Sequence, residues 1–152
     1  MKKDEGVGPE ECRAMAHLCL SMNLRKTERL VTRHYDSYLA GAGVTAVQLP
    51  ILASIATLAE PTFRSLSEEL ELDRTTLSRN LALLSRSGLL SVGPSSGPKP
   101  GAIALTPKGR RTVQRAHRLW LEAHRALEGA LTNSAVSDGL RFLRRLRAAA
   151  KR

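Results

Sequence analysis

Apolar positions recur along this chain in two rhythms, and the change from one to the other separates helices from strands. From 10 to 40 there is neither Gly nor Pro, and Leu20, Leu24, Thr27, Val31, Tyr35 and Tyr38 repeat at alternating spacings of four and three. Met15, Leu18, Met22 and Leu30 broaden that stripe, and Pro9 suits the first turn of a helix. The pattern predicts one helix over 10–40, about 45 Å long. A single small core cannot cover such a helix on all sides, so part of it should pack against a second subunit. Gly41 and Gly43 end it, and a short buried helix follows over 44–58, with Pro50 early enough to be a first-turn feature or a kink. Leu66 and Leu70, four apart, mark a two-turn helix over 63–70. Asp73 is an N-cap for a helix over 74–86, which Ser87-Gly88 terminates.

Beyond Gly88 the rhythm shortens. Residues 89–92 and 103–105 predict two strands, and the segment 93–101 between them holds three Gly and three Pro, the composition of a long hairpin tip. Thr106-Pro107 then stands as N-cap and first residue of a helix reaching to about 131, which carries Val113, Leu119, Trp120, Leu121, Leu127 and Leu131. After a break over 133–137, Leu140, Leu143, Leu146 and Ala150 define a last amphipathic helix. The expected fold is mainly α with a small β-hairpin wing, in the order α-α-α-α-β-β-α-α, which is that of a winged helix-turn-helix flanked by long helices.

Composition narrows the function. The chain has 152 residues with 24 Lys plus Arg against 14 Asp plus Glu, a formal net charge of +10. Nucleic acid, an anionic membrane surface or a merely solvated surface would each account for that excess. Aromatic residues are only 3% of the chain, too few for a reader that stacks single-stranded bases. The longest apolar run, 49–59, contains Pro50 and Ser54 and falls short of the roughly 18 residues that span a bilayer. Residues 1–11 are polar, so secretion is not signalled, and a cytoplasmic protein with reduced thiols is expected. There is no Gly-rich phosphate loop, Cys-x-x-Cys, His-Glu-x-x-His or Gly-x-Ser-x-Gly, which argues against an enzyme.

The helix over 74–86 carries the candidate chemistry. Leu77, Leu81 and Leu84 share one stripe, which turns Thr75, Ser78, Arg79, Ala82 and Arg86 away from the core. A face of Arg, Thr, Ser and small residues suits the major groove, where Arg forks to guanine and Thr meets a phosphate or a thymine methyl. The same residues would also serve a solvated helix.

Several stretches occur together in a telling order: Asn23-Leu-Arg-Lys-Thr-Glu-Arg-Leu-Val, Gly43-Val-Thr-x-x-Gln48, Leu66-Ser-x-x-Leu70, Asp73-Arg-Thr-Thr-Leu-Ser-Arg-Asn-Leu, Gly88-Leu89 and Leu105-Thr-x-x-Gly109-Arg. Over roughly 12–150 this set resembles the MarR (multiple antibiotic resistance regulator) transcription factors. The resemblance implies a homodimer on a pseudo-palindromic double-stranded DNA operator, repressing transcription until a small lipophilic or phenolic effector, often an anion, or an oxidant releases it. It divides the chain into an N-terminal dimerisation helix (1–42), a winged helix-turn-helix (43–106) and C-terminal dimerisation helices (107–152). It assigns DNA contacts to Arg74, Thr75, Thr76, Ser78, Arg79 and Asn80, and to Ser65 in the preceding helix. In the wing, where relatives often carry an Asp-Arg-Arg-like stretch, this chain has Gly97-Pro98-Lys99, so Lys99 supplies a point charge without the guanidinium fork that tracks a narrow groove. It implies neither a cofactor nor a metal.

Cys12 and Cys19 lie seven apart, on one face of the expected helix but about 10 Å apart along it, too far to pair within a chain. They read as small hydrophobes in a helix interface or as a redox pair, with Cys19 the better sensor. The resemblance places an effector pocket where the first and fifth helices meet the second, lined by Met15, Cys19, Met22, Leu52, Leu58 and Trp120. His17, His117 and His124 do not converge with the cysteines into a metal set. Residues 141–152 hold six Lys or Arg among Phe142, Leu143 and Leu146, which suits a dimer helix, a phosphate contact, or a membrane-surface or protein-interaction module.

Overall fold

The N-terminal stripe forms two helices instead of one. The computed structural model describes residues 6–93, 101–131 and 134–151; the hairpin tip with Lys99, and residues 132–133 of the expected break, lie outside the described residues. Helix α1 spans Pro9–Leu18 and α2 spans Leu20–Leu39, separated at Cys19, whose backbone is extended (φ −66°, ψ 109°). The side chain of Asn23 donates from Nδ2 to the carbonyls of His17 (2.9 Å) and Cys19 (3.0 Å), and so satisfies acceptors at the break. An Asn that competes in this way for main-chain acceptors offers the backbone an alternative to a continuous helix. Cys12 and Cys19 therefore sit on different segments, and the expected 45 Å rod over 10–40 does not exist.

A short 3₁₀ turn over Ala40–Ala42 follows, and Gly43 takes the left-handed conformation (φ 71°) that stops it. Helix α3, Gln48–Thr57, begins later than the apolar run because Thr45 and Gln48 cap each other. The Thr45 amide donates to Gln48 Oε1 (3.1 Å) and the Gln48 amide to Thr45 Oγ1 (3.3 Å). Pro50 falls in its first turn, where a missing N–H leaves no helical bond unmade. Helices α4, Phe63–Leu70, and α5, Arg74–Arg86, follow with the bounds the sequence predicts. The α4–α5 turn passes through Glu71 in a left-handed conformation (φ 51°), uncommon outside glycine.

Strands β1, Leu90–Val92, and β2, Ile103–Leu105, pair antiparallel with Leu90 opposite Leu105 and Val92 opposite Ile103. Ile103 also donates its amide to Pro61 O (2.9 Å), which ties the wing to the loop before α4. Helix α6, Pro107–Gly129, and helix α7, Ala135–Ala150, complete the chain.

The core lies where α2, α3, α4, α5 and the hairpin base meet α6. Leu39, Ile51, Leu52, Leu66, Leu77 and Leu84 are fully buried there, each contributing about 1.5–3 kcal/mol through loss of apolar contact with water. By contrast α1 and α7 bury no residue, while Leu18, Leu20, Leu140, Phe142 and Leu143 are exposed along α1, α2 and α7. Among the described residues no helix is long and apolar enough to cross a membrane.

Candidate nucleic-acid interface and adjoining pocket

Helix α5 turns Leu77, Leu81 and Leu84 into the core and leaves Arg74, Thr75, Ser78, Arg79, Ala82 and Arg86 exposed on one face. No acidic residue lies within the helix. The nearest carboxylate, Asp73, is spent on the N-cap, where it accepts from the Thr76 amide (2.9 Å) and hydroxyl (2.7 Å). Those hydrogen bonds hold its carboxyl below the ordinary value. Arg74 lies 5.3 Å over the ring of Phe63, which fixes the root of its guanidinium beside the helix N-terminus. The face is thus cationic, short-chained and aligned with the positive end of the helix dipole, a combination suited to phosphate and base edges.

Not every expected contact residue shares it. Arg74, Thr75, Ser78 and Arg79 do, and Arg86 extends the face toward its C-terminal end. Thr76 is half-buried in the cap, and Asn80, also half-buried, donates from Nδ2 to Thr76 O (2.9 Å). Ser65 belongs to a reciprocal cap with Thr62: its hydroxyl accepts from the Thr62 amide (2.9 Å) and lies within reach of the carbonyls of Glu60 and Thr62. Local capping therefore engages three of the eight, which the outward periodicity of side chains does not reveal. Lys99 lies outside the described residues.

The wing is fastened to the end of α5 by a joint built on Thr106. Its hydroxyl caps α6 by accepting from the Gly109 amide (3.0 Å) and donates to Gly88 O (2.7 Å), while its amide donates to Leu89 O (3.1 Å). Lys108 Nζ adds a bond to Ser87 O (2.7 Å). Gly109 is required by close approach: a Cβ there would stand 1.9 Å from Leu89 O. The recognition helix, the wing and the start of α6 therefore form one unit.

Between α2, α3 and α6 lies a cavity of about 460 Å³. Tyr35, His117 and Trp120 give it an aromatic wall, and Leu39, Leu49, Pro50, Ala53 and Val113 an aliphatic one. Of the six residues expected to line a pocket, Trp120 alone does so. Leu52 is fully buried in the core, Leu58 borders a separate groove with Pro61 and Ile103, and Met15, Cys19 and Met22 are exposed on the N-terminal helices. The reason is the register of the antiparallel pair α2–α6. Tyr35 OH meets His124 Nδ1 (3.0 Å) and His34 Nε2 donates to Ala123 O (2.8 Å), so the C-terminal half of α2, not its beginning, faces the cavity. The other ring nitrogen of His124 lies 3.4 Å from Glu128 Oε1. Burial and that carboxylate push the Tyr35 phenol above its ordinary value.

Both cysteines are free and exposed. Among the described residues no cluster of three or more His, Cys, Asp or Glu could hold a metal. On α7, Arg141 lies 3.5 Å from Asp138, and Lys151, just beyond the helix, pairs with Glu71 at the α4–α5 turn.

A model of the MarR family matches residues 42–99. The transcriptional regulator MosR of M. tuberculosis is 30% identical over 90% of this chain and 98% of its own, with a TM-score of 0.76; its structure in complex with DNA is similar at 28% identity, covering 86% and 98%, with a TM-score of 0.71. A mutant of MarR from E. coli, complexed with operator DNA, is 25% identical over 87% of this chain and 96% of its own, with a TM-score of 0.75. PcaV of Streptomyces coelicolor, in complex with its natural ligand, shares the fold at 20% identity over 89% and 96%, with a TM-score of 0.77. No curated protein matches the chain.

Proposed function

This chain belongs to the MarR family of winged helix-turn-helix DNA-binding transcription regulators, a non-enzymatic family, and from that premise we propose that it is a cytoplasmic, dimeric repressor released from its operator by a small molecule. The observation that carries the DNA-binding half is the exposed face of α5, with Arg74, Thr75, Ser78, Arg79 and Arg86 and no acid within the helix. A second copy is supported by α1 and α7, which bury nothing and leave Leu18, Leu140, Phe142 and Leu143 to water. Two copies would present two α5 helices to successive major grooves of a pseudo-palindromic site. Operator complexes of MosR and MarR, and a ligand complex of PcaV, are the precedents.

The release half rests on the cavity between α2, α3 and α6. It adjoins α3, the helix packed behind the helix-turn-helix, and a volume of about 460 Å³ lies in the range of small-molecule sites. A lipophilic occupant would change how α6 packs on α3, and so where α5 is held. The deciding experiment is selection of bound duplexes from random DNA at rising salt, followed by Arg79→Ala on the selected operator. The variant should lose about 1–3 kcal/mol of binding and discriminate less at one position per half-site. Operator binding by Arg79→Ala as tight as wild type would refute the assignment of α5. A redox response is favoured by one observation, the exposure of Cys12 and Cys19. Replacing both by Ser should then abolish release by peroxide and spare release by ligand.

A further inference from the structure

We propose that the cavity beside Trp120 is selective for an uncharged aromatic molecule carrying a hydrogen-bond donor, and that it refuses aromatic carboxylates of the same shape. The inference rests on the reading of this cavity as the effector site and specifies the chemistry of its occupant.

Charge selectivity follows from what surrounds the space. One wall is aliphatic, the other aromatic, and neither Lys nor Arg is among the lining residues. A carboxylate entering it would shed its hydration without meeting a cation, which disfavours the charged form strongly. The polar end is the Tyr35 hydroxyl, 3.0 Å from Nδ1 of His124, whose Nε2 stands 3.4 Å from the Glu128 carboxylate. With the imidazole proton on Nε2, toward Glu128, Nδ1 accepts the phenol proton. Tyr35 is then committed as a donor, and its remaining oxygen lone pair faces a ligand as an acceptor. The net charge of the chain Tyr35–His124–Glu128 is that of the carboxylate, so the field behind the tyrosine is negative. An accepting oxygen on a negative background favours a donor and repels an anion.

The flat wall favours a ring. Trp120 stacks with His117 (centroids 6.1 Å apart, 22° between planes) and with His124 (5.1 Å, 10°), which aligns three planar groups along α6. His117 is the one lining residue able to become a cation, so the test belongs at about pH 8, where imidazoles are ordinarily neutral.

Three probes of matched shape separate the terms: 4-tert-butylphenol, 4-tert-butylbenzoate and tert-butylbenzene, titrated calorimetrically into the full chain. Emission from Trp120, the chain's sole tryptophan, reports occupancy of this cavity in parallel. The phenol should bind at least about tenfold more tightly than the benzoate and about fivefold more tightly than the hydrocarbon, the latter being the worth of one neutral hydrogen bond. Tyr35→Phe should erase that fivefold advantage and leave the hydrocarbon's affinity within about twofold. The proposal is overturned if the benzoate binds as well as the phenol, if Tyr35→Phe leaves the phenol's advantage intact, or if none of the probes perturbs Trp120. Operator binding measured on the same samples keeps the two readings apart. A phenol that binds with this selectivity but leaves the operator bound supports the pocket chemistry and overturns the effector role.

Discussion

Replacing Gly109 by Ala should destabilise the protein, although alanine is the better helix former. Helical preference alone would favour the variant by about 0.8–1.0 kcal/mol. Against that, the new Cβ would stand 1.9 Å from Leu89 O and 2.9 Å from Leu89 C, both main-chain atoms that cannot swing aside as a side chain would. Forcing an extra methyl into a filled space costs about 1–3 kcal/mol. Moving the Leu89 carbonyl also loosens the bonds it accepts from the Thr106 amide (3.1 Å) and hydroxyl (3.3 Å), each worth about 1 kcal/mol. The balance is a loss of about 2–4 kcal/mol, or roughly 5–15 °C in melting temperature for a chain of this length. Circular dichroism melts at one fixed protein concentration measure it, since the midpoint of a dimer varies with concentration. A midpoint equal to or above that of wild type would show that α6 approaches Leu89 less closely than the structure has it.

Three further outcomes can be checked. Leu77→Ala, at a position with no exposure, should cost about 2–5 kcal/mol in chemical denaturation. Leu143→Glu on α7 should convert a dimer to a monomer in size-exclusion chromatography with light scattering and weaken operator binding, whereas unchanged mass would exclude α7 from the interface. Because hydrogen bonds from Thr76 hold the Asp73 carboxyl below its ordinary 3.8, its contribution is complete above that value and fades as pH falls through the lower folded-state value. Wild type should therefore lose, below about pH 4, the margin in melting temperature that it holds over Asp73→Asn at neutral pH, and a margin independent of pH would contradict the cap.

What the sequence discloses here depends on how local the signal is. The bounds of α4 and α5 are legible because Asp73 at the start and Ser87-Gly88 at the end act within a turn of their own positions. The Thr106-Pro107 start of α6 is legible for the same reason. The interruption at Cys19 is not, since an unbroken stripe from Met15 to Tyr38 gives no hint that Asn23 will turn back on the carbonyls of His17 and Cys19. The exposed residues of α5 follow from periodicity, while the diversion of Thr76, Asn80 and Ser65 into hydrogen bonds of their own helices does not. The cavity was hardest to place. Its lining depends on which turn of α2 meets which turn of α6, and pairs 89 residues apart, such as Tyr35 with His124, fix that register.

The joint at Thr106 makes α6 a lever with its short end clamped. At 23 residues the helix is about 34 Å long, so a rotation of about 5° at one end carries the other through about 3 Å. Val113, His117 and Trp120 sit along the first half of that arm, and the recognition helix is fastened at its tip. Two such arms in a dimer would set the distance between half-sites, which DNA dictates to within a fraction of its helical repeat. An occupant needs only to tilt the arms by a few degrees to put both recognition helices out of step with the grooves, without disturbing the bonds that hold either one together.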